Sequence, residues 1–220
     1  MPRLFKERHT TINFIVMKNV FKISTIALAF AVSAISAKAQ TSAPASTTSA
    51  STDGVKFSIG VDAGLPTGNF SNSYNWNIGG SVQADIPVVA KQLYVTVNAG
   101  YDNFFGKKNI PVVATPEGGT GYYDQPNIQL LPVKAGLKFF PVGGFYIQGE
   151  AGAAFALNKS DVGFDKSAAF IWAPQIGYQF NVGGNSFIDA GVRYQGSTDF
   201  VSNDNLSKVN FVGLRVAYGF

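Results

Sequence analysis

From Val55 to the carboxyl end, apolar residues recur at every second position in short runs separated by glycine-rich or polar breaks. Two is the side-chain period of a β-strand, because successive side chains point to opposite faces. Eight such runs follow one another: 55–65, 76–87, 93–101, 128–139, 145–156, 169–180, 186–195 and 208–220. In each, one face is apolar and the other is glycine, small or polar. In 76–87, Trp76, Ile78, Val82, Ala84 and Ile86 oppose Asn77, Gly79, Ser81, Gln83 and Asp85; in 208–220, Val212, Leu214, Val216, Tyr218 and Phe220 oppose Gly213, Arg215, Ala217 and Gly219. Pro132 and Pro174 interrupt two runs. Lacking an N–H for the ladder, each predicts a bulge or an irregular strand start.

The breaks alternate in length. Those after the second, fourth and sixth runs are short, two of them reading Val-Gly-Gly (142–144 and 182–184), whereas the other connections are longer. Short turns at one end and long loops at the other are the habit of a transmembrane barrel, with the long loops outside the cell. Aromatics such as Trp76, Tyr101, Phe139, Phe145, Trp172 and Tyr178 sit near the ends of the apolar faces, where two interfacial girdles would need them. The pattern predicts an all-β fold, an eight-stranded antiparallel up-and-down transmembrane β-barrel, with the apolar face in lipid. A soluble barrel alternates too, but with the apolar face inward. Lipid outside is preferred because the apolar face carries almost no charge over eight strands.

The amino-terminal quarter reads differently. Residues 1–39 read as a secretory signal peptide that starts at Met17: basic Lys18 and Lys22, an apolar stretch from Ile23 to Ser36, and Ala37-Lys38-Ala39 before a cleavage site. The stretch is too short for a spanning helix. Residues 40–54, rich in Ser, Thr and Ala, read as a flexible linker, and 55–220 as the one folded domain. Charge changes meaning once the leader is set aside. The whole chain carries +4, but 55–220 holds 11 Lys or Arg and 11 Asp or Glu, a formal net charge of zero. No nucleic-acid partner is expected from that balance.

Candidate chemistry is sparse. There is no Cys, and the only His is His9, ahead of the Met17 start and removed with the leader. A Ser–His acyl hydrolase or acyltransferase has no base, and thiolate or imidazole metal sites are excluded. Glu117 and Glu150 are the only glutamates of the domain. A weak oxygen-ligand calcium site among Asp199, Asn203, Asp204 and Asn205 is outweighed by the ordinary polarity of a loop. No enzyme, cofactor or metal is expected.

The inward face offers Lys134, Lys138, Glu150, Asp189, Arg193 and Arg215 as a lumen network. A symmetric turn pairing Phe139 with Phe145 puts Lys134 opposite Glu150 and Lys138 opposite Tyr146, which predicts a Lys134–Glu150 ion pair, because buried charges need partners. An eight-stranded barrel is just wide enough for side chains to fill, so a static filling is favoured over a gate. The long connection 102–127 carries Phe104, Phe105, Tyr122 and Tyr123 as candidate contacts for a partner outside the cell.

Three segments support a family resemblance: Gly60-Val61-Asp62-Ala63-Gly64-Leu65-Pro66-Thr67-Gly68-Asn69-Phe70, Leu131-Pro132-Val133-Lys134-Ala135-Gly136-Leu137-Lys138-Phe139-Phe140, and Phe145-Tyr146-Ile147-Gln148-Gly149-Glu150-Ala151-Gly152-Ala153. They resemble the first strand and loop and the central hairpin of the small outer-membrane β-barrel domain family, the porin family of OmpX/OmpA-like eight-stranded barrels. The final strand, ending on Tyr218 and Phe220, resembles the carboxyl-terminal assembly signal of such barrels. The resemblance covers about 55–220 and implies insertion by the outer-membrane assembly machinery, contact with outer-membrane lipid and lipopolysaccharide, a monomer, and no catalytic residues. It specifies a barrel rather than an activity, and with no peptidoglycan-binding domain after the barrel a two-domain anchoring role is not expected. The function expected is structural or surface-interacting through the long loops; the alternative is a small-solute porin-like channel.

Overall fold

The computed structural model describes residues 54–89, 91–112, 121–202 and 207–220. The leader 1–39, nearly all of the linker, Glu117, Asn203, Asp204 and Asn205 lie outside the described residues. The strands are β1 (Lys56–Pro66), β2 (Tyr74–Val89), β3 (Leu93–Gly106), β4 (Ile110–Val112), β5 (Gly121–Tyr123), β6 (Ile128–Val142), β7 (Phe145–Ala156), β8 (Ala168–Gly183), β9 (Ser186–Ser197) and β10 (Phe211–Gly219). A single-turn helix, α1 (Lys159–Val162), interrupts the connection from β7 to β8. Eight of the strands close a barrel in the order β1-β10-β9-β8-β7-β6-β3-β2, while β4 and β5 pair as a separate hairpin. All neighbours are antiparallel, and consecutive barrel strands are adjacent, as in an up-and-down barrel.

The strand ends joined by short turns, Val89 and Leu93, Val142 and Phe145, Gly183 and Ser186, gather at one end, and those joined by the longer connections, Pro66 and Tyr74, Gly106 and Ile128, Ala156 and Ala168, Ser197 and Phe211, at the other. The tight turns need left-handed backbone: Gly143 has φ +55° and Gly184 φ +57°, a region glycine enters without a Cβ penalty. Closure is completed by reciprocal backbone bonds, Phe57 N–H to Phe220 C=O at 3.1 Å and Phe220 N–H to Phe57 C=O at 2.9 Å.

The faces are assigned by exposure. Val61 is 59 % exposed and Leu137 53 %, whereas Lys134 is 2 % and Arg215 0 % exposed. Apolar side chains cover the outside of every barrel strand, and the charges are inside. A soluble barrel does the reverse. A contiguous apolar surface of this extent marks a membrane or interaction face, and its closed wall leaves no unpaired strand edge for lipid to meet.

Two local expectations are corrected. The β6–β7 pairing places Phe139 opposite Ile147, not Phe145, because the ladder shifts between Phe139 and Val142. Lys134 therefore faces Gly152, Glu150 faces Gly136, and Lys138 faces Gln148. Neither Pro132 nor Pro174 causes a bulge: the β3–β6 and β8–β9 ladders skip the pairs around them and resume in the same register. The missing N–H opens a gap in the ladder without shifting it.

Candidate functional site: the filled lumen

Most inward positions in the middle of the barrel are polar or glycine, with Ala173, Ala217 and Pro132 among the exceptions, and the period of two brings charges from seven strands to one axis. Five carboxylates (Asp62, Asp85, Asp102, Glu150 and Asp189) and four cations (Lys134, Lys138, Arg193 and Arg215) are buried there. Asp189 on β9 is the hub. One of its oxygens accepts from Tyr146 Oη at 2.8 Å and lies 3.7 Å from an Arg215 guanidinium nitrogen. The other accepts from Lys138 Nζ at 3.3 Å and Gln179 Nε2 at 3.0 Å. Lys138 also reaches Asp85 at 2.8 Å, and Asp85 in turn accepts from Gln83 at 2.7 Å.

A second chain of bonds runs from Arg193, which pairs with Asp62 at 2.5 Å, to Ser81, which donates to the other Asp62 oxygen at 2.6 Å. Arg215 then donates to Ser81 at 3.0 Å and to Ser58 at 3.1 Å. On the opposite wall Lys134 Nζ lies 3.3 Å from Glu150 and 3.3 Å from the Gln195 side-chain oxygen, while Thr96 donates to Glu150. Asp102 accepts from Asn77 at 3.3 Å. Burying charges is tolerable only when they are paired and hydrogen-bonded, and these bonds draw on side chains from all eight barrel strands, Thr96 of β3 and Gln179 of β8 included.

Lys134 and Glu150 meet although they are not directly opposite. Their cross-strand partners are Gly152 and Gly136, so the two side chains lean toward each other over positions that carry none. A Cβ on Gly136 would collide with the Gly149 carbonyl oxygen, and one on Gly152 with the Val133 carbonyl oxygen.

Both ends of the network are closed by apolar groups. At the short-turn end lie Tyr94, Phe140 and Tyr146, with Lys56 donating to Tyr94 Oη at 3.1 Å. Phe187, also inward and buried, lies over Gly219, where a Cβ would strike its ring. At the long-connection end the inward residues turn apolar: Phe104, Ile128, Leu130, Ile171 and Phe211 form one buried cluster. Phe70, from the 67–73 connection, and Phe200 and Val209, from 198–210, descend onto it, and Val162 and Phe164 pack against it from 157–167. Ring contacts tie this cap together: Phe70 to Tyr74 at 4.5 Å, Phe104 to Phe211 at 5.2 Å, Phe164 to Phe200 at 4.6 Å between centroids.

All six charged residues expected in the lumen lie there. Asp62, Asp85 and Asp102 join them as further carboxylates; parity of position marks all three, although the sequence pattern ends the third strand at Tyr101 and puts Asp102 in a loop. The same early ending misplaced Phe104. It is not a loop contact but a fully buried inward residue of β3, because the strand continues to Gly106. Phe105 faces outward and stacks on Trp76 at 4.4 Å. Tyr122 and Tyr123, on β5, are 68 % and 48 % exposed. Tyr218 and Phe220 lie on the outer surface beside each other. Asp199 lies in the β9–β10 connection, where its backbone oxygen accepts from Lys166 at 3.2 Å. The apolar cap departs from the strand alternation, which predicts a polar inner face throughout.

Fold and lumen together define a closed, lipid-faced, side-chain-filled β-barrel. No family model matches the chain, and no curated protein matches it. Among solved structures, the chain is similar to the outer-membrane protein Ail of Yersinia pestis in a phospholipid nanodisc, at 17 % identity over 75 % of this chain and 99 % of that one, TM-score 0.44. It is similar to the outer-membrane protein AlkL in lipid bilayers at 15 % identity, over 82 % and 95 %, TM-score 0.43. A de novo designed transmembrane β-barrel gives 13 % identity over 77 % and 99 %, TM-score 0.42.

Proposed function

We propose that the protein is an integral barrel of the bacterial outer membrane that acts without catalysis, through surfaces displayed on its long connections, while its lumen serves as a static polar filling. The observation that carries this reading is the continuous closure of the interior: a bonded charge network bounded by Tyr94, Phe140 and Tyr146 at one end and by the Phe70–Phe104–Phe200–Phe211 cap at the other. A solute would have to displace both apolar ends as well as break buried ion pairs, and the latter step alone costs about 3–5 kcal/mol for each broken pair. Tyr122 and Tyr123 are the exposed aromatics best placed to meet an extracellular partner, as interface residues often do. The leader 1–39 and the Tyr218–Phe220 end fit export and handling by the outer-membrane assembly machinery. Outer-membrane lipid and lipopolysaccharide are the expected surroundings of a monomer.

The test is electrical. Purified protein reconstituted in planar bilayers should show no steady single-channel conductance, and the same in liposome swelling with small sugars. Glu150→Ala should remain closed. A clear rise in conductance in that variant would favour the small-solute channel instead. Outer-membrane placement is tested separately by heat-modifiable migration and by proteolysis of intact cells, with cleavage expected only in the long connections.

A further inference from the structure

The outer wall is not uniformly convex. At the long-connection end, where β2, β1, β10 and β9 lie side by side, it holds an apolar groove of about 370 Å³. Trp76, Leu65, Val192 and Leu214 flank it. Its floor follows from sequence. Ala63 is the small outward residue between Ile78 and Leu214. Beside it Gly64 pairs with Gly213, so the wall there is thinned to backbone, with the Phe211 ring lying against both glycines. A Cβ on Gly64 would meet that ring at 2.8 Å. The inner glycines thus make room for the cap, and the outer alanine leaves the depression.

The surroundings point to one occupant. The groove opens within the apolar band, its lining is almost entirely hydrocarbon or aromatic, and it lies in the half of the wall nearest the long connections, which is the outer-leaflet half of a barrel with its long loops outside. We propose that this groove is a retention site for a single acyl chain of an outer-leaflet lipid, held more tightly than chains against the rest of the wall. The inference rests on the membrane-spanning reading. Inside a bilayer the gain comes from packing rather than from escape from water. A chain seated between Trp76, Leu65 and Leu214 has partner atoms on several sides, where a convex wall offers them on one.

The chain has two tryptophans, Trp76 in the groove and Trp172 on β8, also outward. They supply the probe and its control. Trp172→Phe leaves Trp76 as the only indole, and Trp76→Phe leaves Trp172. Each variant is reconstituted in phosphatidylcholine containing increasing fractions of acyl-chain-brominated phosphatidylcholine, and fluorescence quenching is read against mole fraction. Brominated and plain chains compete equally for any site, so Trp76 should follow the linear curve of one retained chain, half-quenched at a mole fraction of about one half, and Trp172 the steeper curve of several exchanging chains, half-quenched at a mole fraction roughly two- to three-fold lower. Adding Ala63→Phe, or Val212→Phe from the neighbouring strand, should move the Trp76 curve onto that of Trp172; both sites face lipid, and gel heat-modifiability confirms that each variant folds. Coincident curves for Trp76 and Trp172, or a Trp76 curve unmoved by both fillings, overturn the groove while leaving the membrane reading intact. Quenching of Trp76 in fully brominated lipid that is weaker than that of Trp172 and falls with protein density means that a second copy covers the groove, which also overturns it. If neither indole is quenched, the membrane-spanning reading and the groove fall together.

Discussion

Asp189→Asn is the substitution that most directly separates a dry, bonded lumen from a water-filled one. The side chain keeps its shape and loses its charge. Asp189 accepts on both oxygens, so the amide group must replace one acceptor with donors. Turned toward Lys138 and Gln179, it faces two donors and loses both bonds. Turned toward Tyr146, it asks the phenol to accept instead, and Tyr146 Oη already accepts from Gln175 at 2.6 Å. Arg215 loses its carboxylate in either case. Lys138 keeps Asp85 at 2.8 Å, so one strong pair survives. Breaking a buried pair by removing one partner costs about 3–5 kcal/mol. With Lys138 still paired, the low end applies, about 3 kcal/mol, more than a hundred-fold in the folding equilibrium. The assay is equilibrium unfolding by urea in detergent micelles or liposomes, read by tryptophan fluorescence, with the slope compared between wild type and variant. Solvent-exposed ion pairs are worth only about 0–1 kcal/mol. A measured loss below about 1 kcal/mol would therefore refute the argument, because water would then be solvating these charges.

Val61→Lys tests the outer face: Val61 is the middle of β1 and points outward, so lysine there should cost about 2–4 kcal/mol in a bilayer, whereas a water-facing site would leave unfolding free energy almost unchanged. Gly136→Val should destabilise by about 1–3 kcal/mol or more, since the new side chain meets backbone atoms of Gly149 and Glu150 that cannot rotate away; an unfolding midpoint equal to wild type would contradict the close β6–β7 approach. Tyr122→Ala with Tyr123→Ala should stay within about 0.5 kcal/mol of wild type in the same titration, as exposed substitutions usually do, while weakening adhesion of expressing cells to whatever surface the protein engages; a large stability loss would mean that the β4–β5 hairpin is part of the barrel's support.

The outward and inward faces were legible because side-chain parity in a strand is binary: once Val61 is outside, Asp62 is inside. Strand number and the alternation of turn lengths follow from the same pattern. Register was not legible at 140–144, because the bulge between Phe139 and Val142 depends on how the Gly143–Gly144 turn closes, and a symmetric pairing reads equally well from sequence. The symmetric register predicts the Lys134–Glu150 pair by direct opposition, whereas the two residues sit two positions apart across the ladder. The two meet because flanking glycines leave room for a diagonal reach, and long side chains tolerate an offset of two positions. Strand ends were less legible still: Asp102-Asn103 reads as a turn, yet β3 runs on to Gly106. The cap was hidden for a related reason. Ile128, Leu130 and Ile171 stand on the polar face by parity, and nothing local says that phenylalanines from three distant connections will arrive to cover them.

That convergence bears on how the outer end of the molecule can recognise anything. Phe70, Phe164 and Phe200 anchor three separate connections into the mouth of the barrel. Packing of those anchors ties the adjacent backbone to the barrel, and a visitor touching it there should have less loose chain to freeze, a step that commonly consumes much of the attraction. Recognition there should resemble a key meeting a cut lock, and an antibody raised against the folded barrel should fail to bind the unfolded chain.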